Sequence, residues 1–192
     1  MSISVASILI SIAALVVSAL TAWFTLFRRG HLRMTRPGFV GFVWDAPGGE
    51  PKIFLRSFLY ATGKRGYVVE ALYLNVMREH VEHIFSFWTV RQEGRMAIGG
   101  GLKVGEDGVP ADFHFLPPKD AHDFAFSAGR YDIAVYVGIA GRTSPALLYK
   151  FSLNLSEEQV DAMRPNMVNS IFFNWQPERG SYHSYIAEPP TL

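Results

Sequence analysis

The chain begins with an uncharged apolar run that extends from Ile3 to Phe27. At about 1.5 Å of rise per residue, a helix over this run is long enough to cross the roughly 30 Å hydrocarbon core of a bilayer. Trp23 lies near its end, where an indole favours the membrane interface. The run therefore predicts a transmembrane helix, with residues 1–29 forming a membrane anchor and its basic flank. A cleavable signal peptide is the weaker alternative, because its positive charge would precede a shorter apolar stretch.

The charges around this run predict its orientation. Four arginines follow it, namely Arg28, Arg29, Arg33 and Arg36, whereas no lysine or arginine precedes it. Cytoplasmic flanks of membrane helices carry the excess of positive charge, so the globular part is predicted to lie in the cytoplasm. Trp23 and the four arginines are also predicted to contact lipid, where each cation adds on the order of 1 kcal/mol of attraction to an anionic surface.

Small hydroxylated residues recur every seven positions in the apolar run, at Ser4, Ser11, Ser18 and Thr25. Small side chains allow two helices to approach closely in lipid. This stripe supports self-association, or docking on another membrane helix. The alternative is that serine and threonine are simply common in membrane spans.

After Pro37 the pattern changes to short apolar runs separated by turn residues. The predicted strands cover residues 39–44, 52–62, 67–77, 83–90, 96–104, 109–116, 131–140 and 147–155. The strand over 131–140 has the clearest period of two, since apolar residues alternate with Asp132 and Ala134. Glu70 interrupts the apolar face of its strand, which predicts an edge, a bulge or a paired carboxylate there. Strands joined by short turns predict an all-β antiparallel sandwich over 39–155, after a juxtamembrane linker over 30–38.

Composition supports this fold and excludes several functions. Aromatic residues make up 14% of the 192-residue chain and there are 17 glycines, which suits short strands and tight turns. The net charge of +1 provides no field for nucleic acid. The absence of cysteine excludes disulfides, thiolate metal sites and cysteine nucleophiles.

The residues that lead into the strand over 131–140 resemble a known corner. The sequence Phe126-Ser127-Ala128-Gly129-Arg130-Tyr131 is similar to the segment before the sixth strand of immunoglobulin-like sandwiches, where a tyrosine hydroxyl returns to the preceding loop. The resemblance implies that Tyr131 is the corner tyrosine. Because the cysteine pair of antibody domains is missing, it implies a fibronectin-like or bacterial Ig-like variant, without any particular activity.

The C-terminal part, residues 156–187, is predicted to form a short helix and a β-hairpin. Ser156 and Gln159 have the spacing of a capping box, and the helix should end before Pro165. Strands over 170–175 and 181–186 then form the hairpin, and residues 188–192 are predicted to be a disordered tail.

The predicted hairpin carries more aromatic residues than one face can bury. Phe172, Trp175, Tyr182 and Tyr185 are therefore candidates for a partner surface, since these residue types are enriched in interface hot spots. In the alternative interpretation, the two strands extend a sheet and the aromatic residues fill its core.

No pattern in the chain predicts a catalytic residue, a cofactor site or a metal site. The His80-x-x-His83 pair borders a strand, where positions three apart point to opposite faces. The glycines at 99–101 lack the Gly-Lys-Ser/Thr ending of a phosphate loop. Asp112 and His114 share one face of a strand, and His122 follows nearby, but an exposed strand face has the same appearance.

Two functional hypotheses follow from the sequence. The first is a membrane-anchored, non-catalytic interaction module or accessory subunit, with an unidentified protein partner or a second copy bound through the membrane helix. The second is a small-ligand-binding or enzymatic β-domain that uses Asp112, His114 and His122, which requires a concave pocket around them.

Overall fold

A computed structural model describes residues 2–27, 30–44, 49–92, 95–118, 124–163 and 170–187. Helix α1 spans Ser2–Ala22, and a π-helical turn continues it over Trp23–Phe27. The described strands are β1 (Leu32–Met34), β2 (Phe39–Trp44), β3 (Pro51–Ala61), β4 (Tyr67–Arg78), β5 (Val81–Phe85), β6 (Phe87–Gln92), β7 (Arg95–Ile98), β8 (Leu102–Val104), β9 (Val109–Leu116), β10 (Gly129–Ile139), β11 (Ala146–Leu155), β12 (Ser170–Gln176) and β13 (Ser181–Ala187). Helix α2 spans Glu157–Ala162, between β11 and β12.

The strands form two antiparallel sheets in a sandwich-like arrangement, as the sequence predicted. Sheet A has the order β13-β12-β2-β3-β9-β6-β7, with β1 beside the end of β3. Sheet B has the order β11-β10-β4-β5, with β8 beside β4. Hairpin β12–β13 therefore extends sheet A beyond β2 rather than forming a separate unit.

The core lies between the two sheets and is built from every second residue of the long strands. On β10, the side chains of Tyr131, Ile133, Val135 and Val137 are fully buried. Across from them Phe42 of sheet A is also fully buried, with its ring centroid 5.2 Å from that of Tyr131. Each large apolar side chain buried in this way contributes about 1.5–3 kcal/mol to folding, so the alternation along β10 fixes which face turns inward.

The hydroxyl of Tyr131 closes the corner before β10. It donates to the carbonyl of Ser127 at 2.7 Å and accepts from the Ser127 amide at 2.9 Å. The predicted return of this hydroxyl to the preceding loop is thus confirmed. The capping box of α2 is also confirmed, since Ser156 and Gln159 bond reciprocally to each other's backbone amides.

Two predicted strands are each divided between the sheets. The run over 83–90 separates at Ser86 into β5 of sheet B and β6 of sheet A. The run over 96–104 separates at the glycines into β7 of sheet A and β8 of sheet B, and Gly100 and Gly101 have φ of 148° and 68°. Periodicity cannot show such crossings, because a strand that changes sheets keeps its apolar residues pointing to one core.

One further detail differs from the sequence prediction, and one of its stated alternatives is confirmed. The segment 30–38, predicted as a linker, contains β1, which pairs with the end of β3. Near Glu70 the register shifts between Gly138 and Ile139, so that Val69 is buried while Val68 is 42% exposed. A bulge is therefore the explanation for the interrupted apolar face of β4.

Candidate functional site

The strongest candidate site lies where the two sheets end on the same side of the sandwich. Within the described residues, β13 is the edge of sheet A and β11 is the edge of sheet B. Strand β2 faces β10 through the contact of Phe42 with Tyr131. The hairpin packs against β11, since the ring centroid of Tyr182 on β13 lies 5.8 Å from that of Phe151 on β11. We call this edge the seam, and define it by β11 and hairpin β12–β13.

A cleft of about 550 Å³ follows the seam. Its lining comes from the edge strand β11, from hairpin β12–β13 and from Arg36. The aromatic lining residues are Tyr149, Phe151, Phe173, Trp175 and Tyr182, and the charged ones are Arg36 and Lys150. The cleft therefore combines aromatic surface, hydroxyl groups and positive charge.

Arg36 connects the two sides of the cleft. Its guanidinium carbon lies 3.7 Å from the ring centroid of Trp175, which is a cation–π contact, and its Nε donates to the hydroxyl of Tyr149 at 2.8 Å. Trp175 belongs to sheet A and Tyr149 to sheet B. The side chain remains solvent-exposed, so its terminal nitrogens can bind an anion without losing the stacking.

Tyr182 forms the inner wall of the cleft. Its hydroxyl donates to the carbonyl of Pro37 at 2.7 Å, and its ring lies 5.2 Å from Trp175 and 5.8 Å from Phe151. Burial raises the pKa of Tyr182 far above its ordinary value, with a smaller contribution in the same direction from Tyr149, while Arg36 opposes the rise. The phenol is therefore a permanent hydrogen-bond donor that fixes hairpin β12–β13 to the segment before β2.

The four aromatic residues predicted as a partner surface lie on two faces. Trp175 and Tyr182 line the seam, whereas Phe172 and Tyr185 lie on the outer face of sheet A, with ring centroids 5.8 Å apart. On that outer face the ring centroid of Phe39 lies 4.8 Å from that of Phe172 and 5.4 Å from that of Phe54. The hairpin thus extends a sheet, as the alternative interpretation supposed, but only part of its aromatic surface enters the core.

The residues proposed for ligand binding or catalysis lie away from the seam. Asp112 is on the outer face of sheet A, where its carboxylate accepts from Arg56 Nε at 2.7 Å and from Nη2 at 3.2 Å. The His114 ring packs 4.9 Å from that of Phe54 on the same face. His122 lies outside the described residues, and the cleft at the seam is lined by neither Asp112 nor His114.

The N-terminal helix has the properties required of a membrane span. Residues Ser4–Thr25 have a mean hydropathy of 2.4, and none of that window is buried against the rest of the protein. Ser11 and Thr25 donate to the carbonyls of Ser7 and Thr21 of their own helix, at 2.9 and 2.7 Å. The predicted stripe of Ser4, Ser11, Ser18 and Thr25 lies on an exposed helix, so its role in helix association stays a prediction.

The residues predicted to contact lipid occupy different environments. Trp23 is 61% exposed within the π-helical turn, and Arg33 is exposed on β1. Arg28 and Arg29 lie outside the described residues, whereas Arg36 packs at the seam. Among groups of histidine, aspartate and glutamate within the described residues, none has the arrangement of a metal site.

Sequence reasoning did not identify Tyr149 and Lys150 as members of a site, nor the contact of Arg36 with Trp175. Comparison of the chain with protein-family models, with curated proteins and with solved structures finds no match.

Proposed function

We propose that this protein is a membrane-anchored, non-catalytic docking module. Its β-sandwich holds an extended, acidic segment of a protein partner in the seam, at the cytoplasmic face of the membrane. The observation that carries this proposal is the cleft between edge strand β11 and hairpin β12–β13, with Arg36 stacked on Trp175 at its side.

The anchoring is supported by the long apolar helix at the N-terminus. The cytoplasmic orientation is supported by the four arginines that follow this helix, against none before it. A module held at the membrane has a high effective concentration for partners that are also bound there, so a weak seam contact is sufficient for association.

An immunoglobulin-like topology is supported by the order of the strands. The neighbours β2-β3-β9-β6 and β11-β10-β4 follow the connectivity of the A-B-E-D and G-F-C sheets of those sandwiches. Tyr131 at the start of β10 then has the place of the corner tyrosine. In this assignment hairpin β12–β13 is an addition beside the first strand, and it is this addition that creates the seam.

The form of the partner segment follows from the edge strand. An exposed strand edge presents unpaired main-chain amides and carbonyls, which an extended peptide can pair with while alternate side chains enter neighbouring pockets. The apolar lining around Phe151 and Trp175 suits an aromatic or aliphatic side chain of that segment.

The charge of the partner segment follows from the lining of the cleft. Its charged members, Arg36 and Lys150, are both cations. Acidic side chains are complementary to them, and a guanidinium can bind a carboxylate through two nitrogens. Asp112 and His114 instead contact Arg56 and Phe54 on an outer sheet face, so the small-ligand alternative is not proposed.

The test is a selection from a random peptide library with the full chain in lipid nanodiscs. Peptides enriched in aspartate and glutamate are expected, and Arg36→Gln and Lys150→Gln should each weaken their binding by about five- to tenfold. Arg56→Gln is the matched control, because Arg56 lies 5.6 Å from the Phe39 ring centroid on the outer face of the same sheet. Its binding should equal that of the wild type.

A photo-crosslinker at Ser181 in the seam, compared with one at Val81 on the opposite edge of sheet B, locates the bound peptide. Selected peptides without acidic residues, or equal losses in the Arg56→Gln control, would refute the proposal. A crosslink from Ser181 to residues 188–192 of the same chain would also refute it, because the seam would then hold the chain's own C-terminus.

A further inference from the structure

A second surface lies at the end of the sandwich that the anchor helix enters. The helix is fastened to the domain within a few residues. The Cα atom of Gly30 can lie no more than about 11 Å from that of Phe27, since three peptide units separate the two residues. The carbonyl of Gly30 accepts from the hydroxyl of Tyr67, and a Cβ on Gly30 would lie 2.6 Å from the carbonyl carbon of Thr62. Gly30 therefore has no room for a side chain, and the anchor enters the domain against the loop after β3.

Two further bonds fix this entry point. The amide of His31 donates to Oγ1 of Thr62 at 2.7 Å, and the amide of Thr62 donates to the carbonyl of His31 at 2.9 Å. Phe24 and Thr25 of the helix line a cavity of about 410 Å³ together with His31 and this loop. In a membrane-anchored chain, the loop after β3 must then lie at the level of the lipid headgroups.

The loops at this end carry a concentration of positive charge. Lys64 and Arg65 lie in the loop after β3, and Arg142 lies in the loop after β10. All three side chains are exposed. Glu106 and Lys64 line one cavity together. Arg65 and Arg142 line a neighbouring cavity that has no aspartate or glutamate among its described lining residues, so these two cations can bind an external anion.

A cavity of about 350 Å³ lies between these two arginines. Its floor comes from glycine backbone at positions 30, 63, 66 and 141, and from the ring of Tyr67. The Arg142 guanidinium carbon lies 5.5 Å from the centroid of that ring, a cation–π distance that holds the side chain over the cavity. We call it the membrane-end cavity.

We propose that the membrane-end cavity binds the phosphate-containing headgroup of an anionic phospholipid. Two guanidinium groups provide paired donors for phosphate oxygens, and the glycines of the lining leave space for the headgroup between them. The aliphatic tails remain in the bilayer, which the short connection to α1 brings to the same level. This inference depends on the anchoring that is part of the proposed function, but not on the seam or its partner.

The test is native mass spectrometry of the full chain released from nanodiscs that contain equal amounts of phosphatidylglycerol and phosphatidylcholine. The wild type is expected to retain phosphatidylglycerol preferentially. Each of Arg65→Gln and Arg142→Gln should lower that preference about fivefold, and the double variant about 25-fold. Arg130→Gln is the matched control, because Arg130 lies at the opposite end of β10, with its guanidinium bonded to Asp132.

Three results would overturn the proposal. One is an equal loss in the Arg130→Gln control, and another is equal retention of the two lipids by the wild type. The third is displacement of the lipid by glycerol 3-phosphate or inorganic phosphate, which would identify a soluble phosphate as the ligand. Extraction of membranes with alkaline carbonate separates failure of the lipid site from failure of the anchoring. A chain that stays in the membrane but shows no lipid preference keeps its anchor and lacks the lipid site. A chain that is released from the membrane lacks both.

Discussion

Replacing Tyr131 by phenylalanine tests the corner on which β10 depends. The ring would stay in the core, because the side chain is fully buried and only its hydroxyl is removed. That hydroxyl makes two hydrogen bonds with Ser127, at 2.7 and 2.9 Å. At about 1 kcal/mol for each bond, the variant should lose about 2 kcal/mol of its free energy of unfolding. For a domain of this size, the same loss lowers the melting temperature by about 4–8 °C.

Urea unfolding of the full chain in detergent, followed by tryptophan fluorescence, measures this loss. The slope of the free energy against urea should not change, because the same surface is exposed on unfolding. Tyr136→Phe is the control: Tyr136 lies on the outer face of the same strand, stacked 5.3 Å from Tyr73, and should change the free energy by less than about 0.5 kcal/mol. If Tyr131→Phe is no less stable than this control, the corner does not contribute to stability as inferred.

Two other predictions concern packing and pH. A Cβ at Gly41 would lie 2.8 Å from the ring of Phe172 and 3.0 Å from that of Phe54 on the outer face of sheet A, so Gly41→Ala should cost about 1 kcal/mol of unfolding free energy. Gly138→Ala is the control and should not destabilise the fold, because the closest atom to its new Cβ would be 3.4 Å away. Equal urea midpoints for the two variants would contradict this prediction. Burial, and to a smaller extent the charge of Arg78, lowers the pKa of His83 below its ordinary 6.5. The folded state then binds fewer protons than the unfolded state, so stability should fall as the pH drops through about 6.5, and His83→Gln should reduce that dependence between pH 7.5 and 5.5. An unchanged dependence in the variant would show that other groups cause it.

Much of the sandwich could be predicted because its strands alternate with a period of two. The bounds of β2 and β9 agree with the sequence prediction, whereas β10 begins two residues earlier and ends one residue earlier than predicted. In such strands half of the residues face the core, so burial selects a pattern that is visible in the sequence. The capping box at Ser156 was visible for a different reason, since it depends on residues three positions apart.

Pairing between strands could not be predicted in the same way. Strand β1 is only three residues long and lies among arginines, so its pattern resembles that of a polar linker. The crossing at Ser86 leaves no signal in the local pattern, because the change of sheet consists only in which distant strands β5 and β6 pair with. Neighbours in a sheet are chosen by contacts between segments far apart in the chain, and one sequence does not display those contacts.

The candidate site is a consequence of such long-range pairing. Arg36 and Trp175 are far apart in the chain, and each has an ordinary local explanation: one follows a predicted membrane span and the other belongs to an aromatic hairpin. Their contact exists because β12 pairs with β2, which brings Trp175 next to the segment before β2. The sequence could therefore indicate the aromatic hairpin as a candidate surface, but not that two of its aromatic residues lie in a cleft with Tyr149.

The seam and the membrane-end cavity can be tested independently, because they share no lining residue. Arg36→Gln should weaken binding of acidic peptides and leave the retention of phosphatidylglycerol unchanged, whereas Arg142→Gln should do the opposite. Charge removals at sites without shared partners are expected to be additive, so a variant with both substitutions should show both losses at their separate magnitudes. If either single substitution reduces both activities, a general effect of positive charge near the membrane explains the binding better than two separate sites, and both assignments would have to be withdrawn.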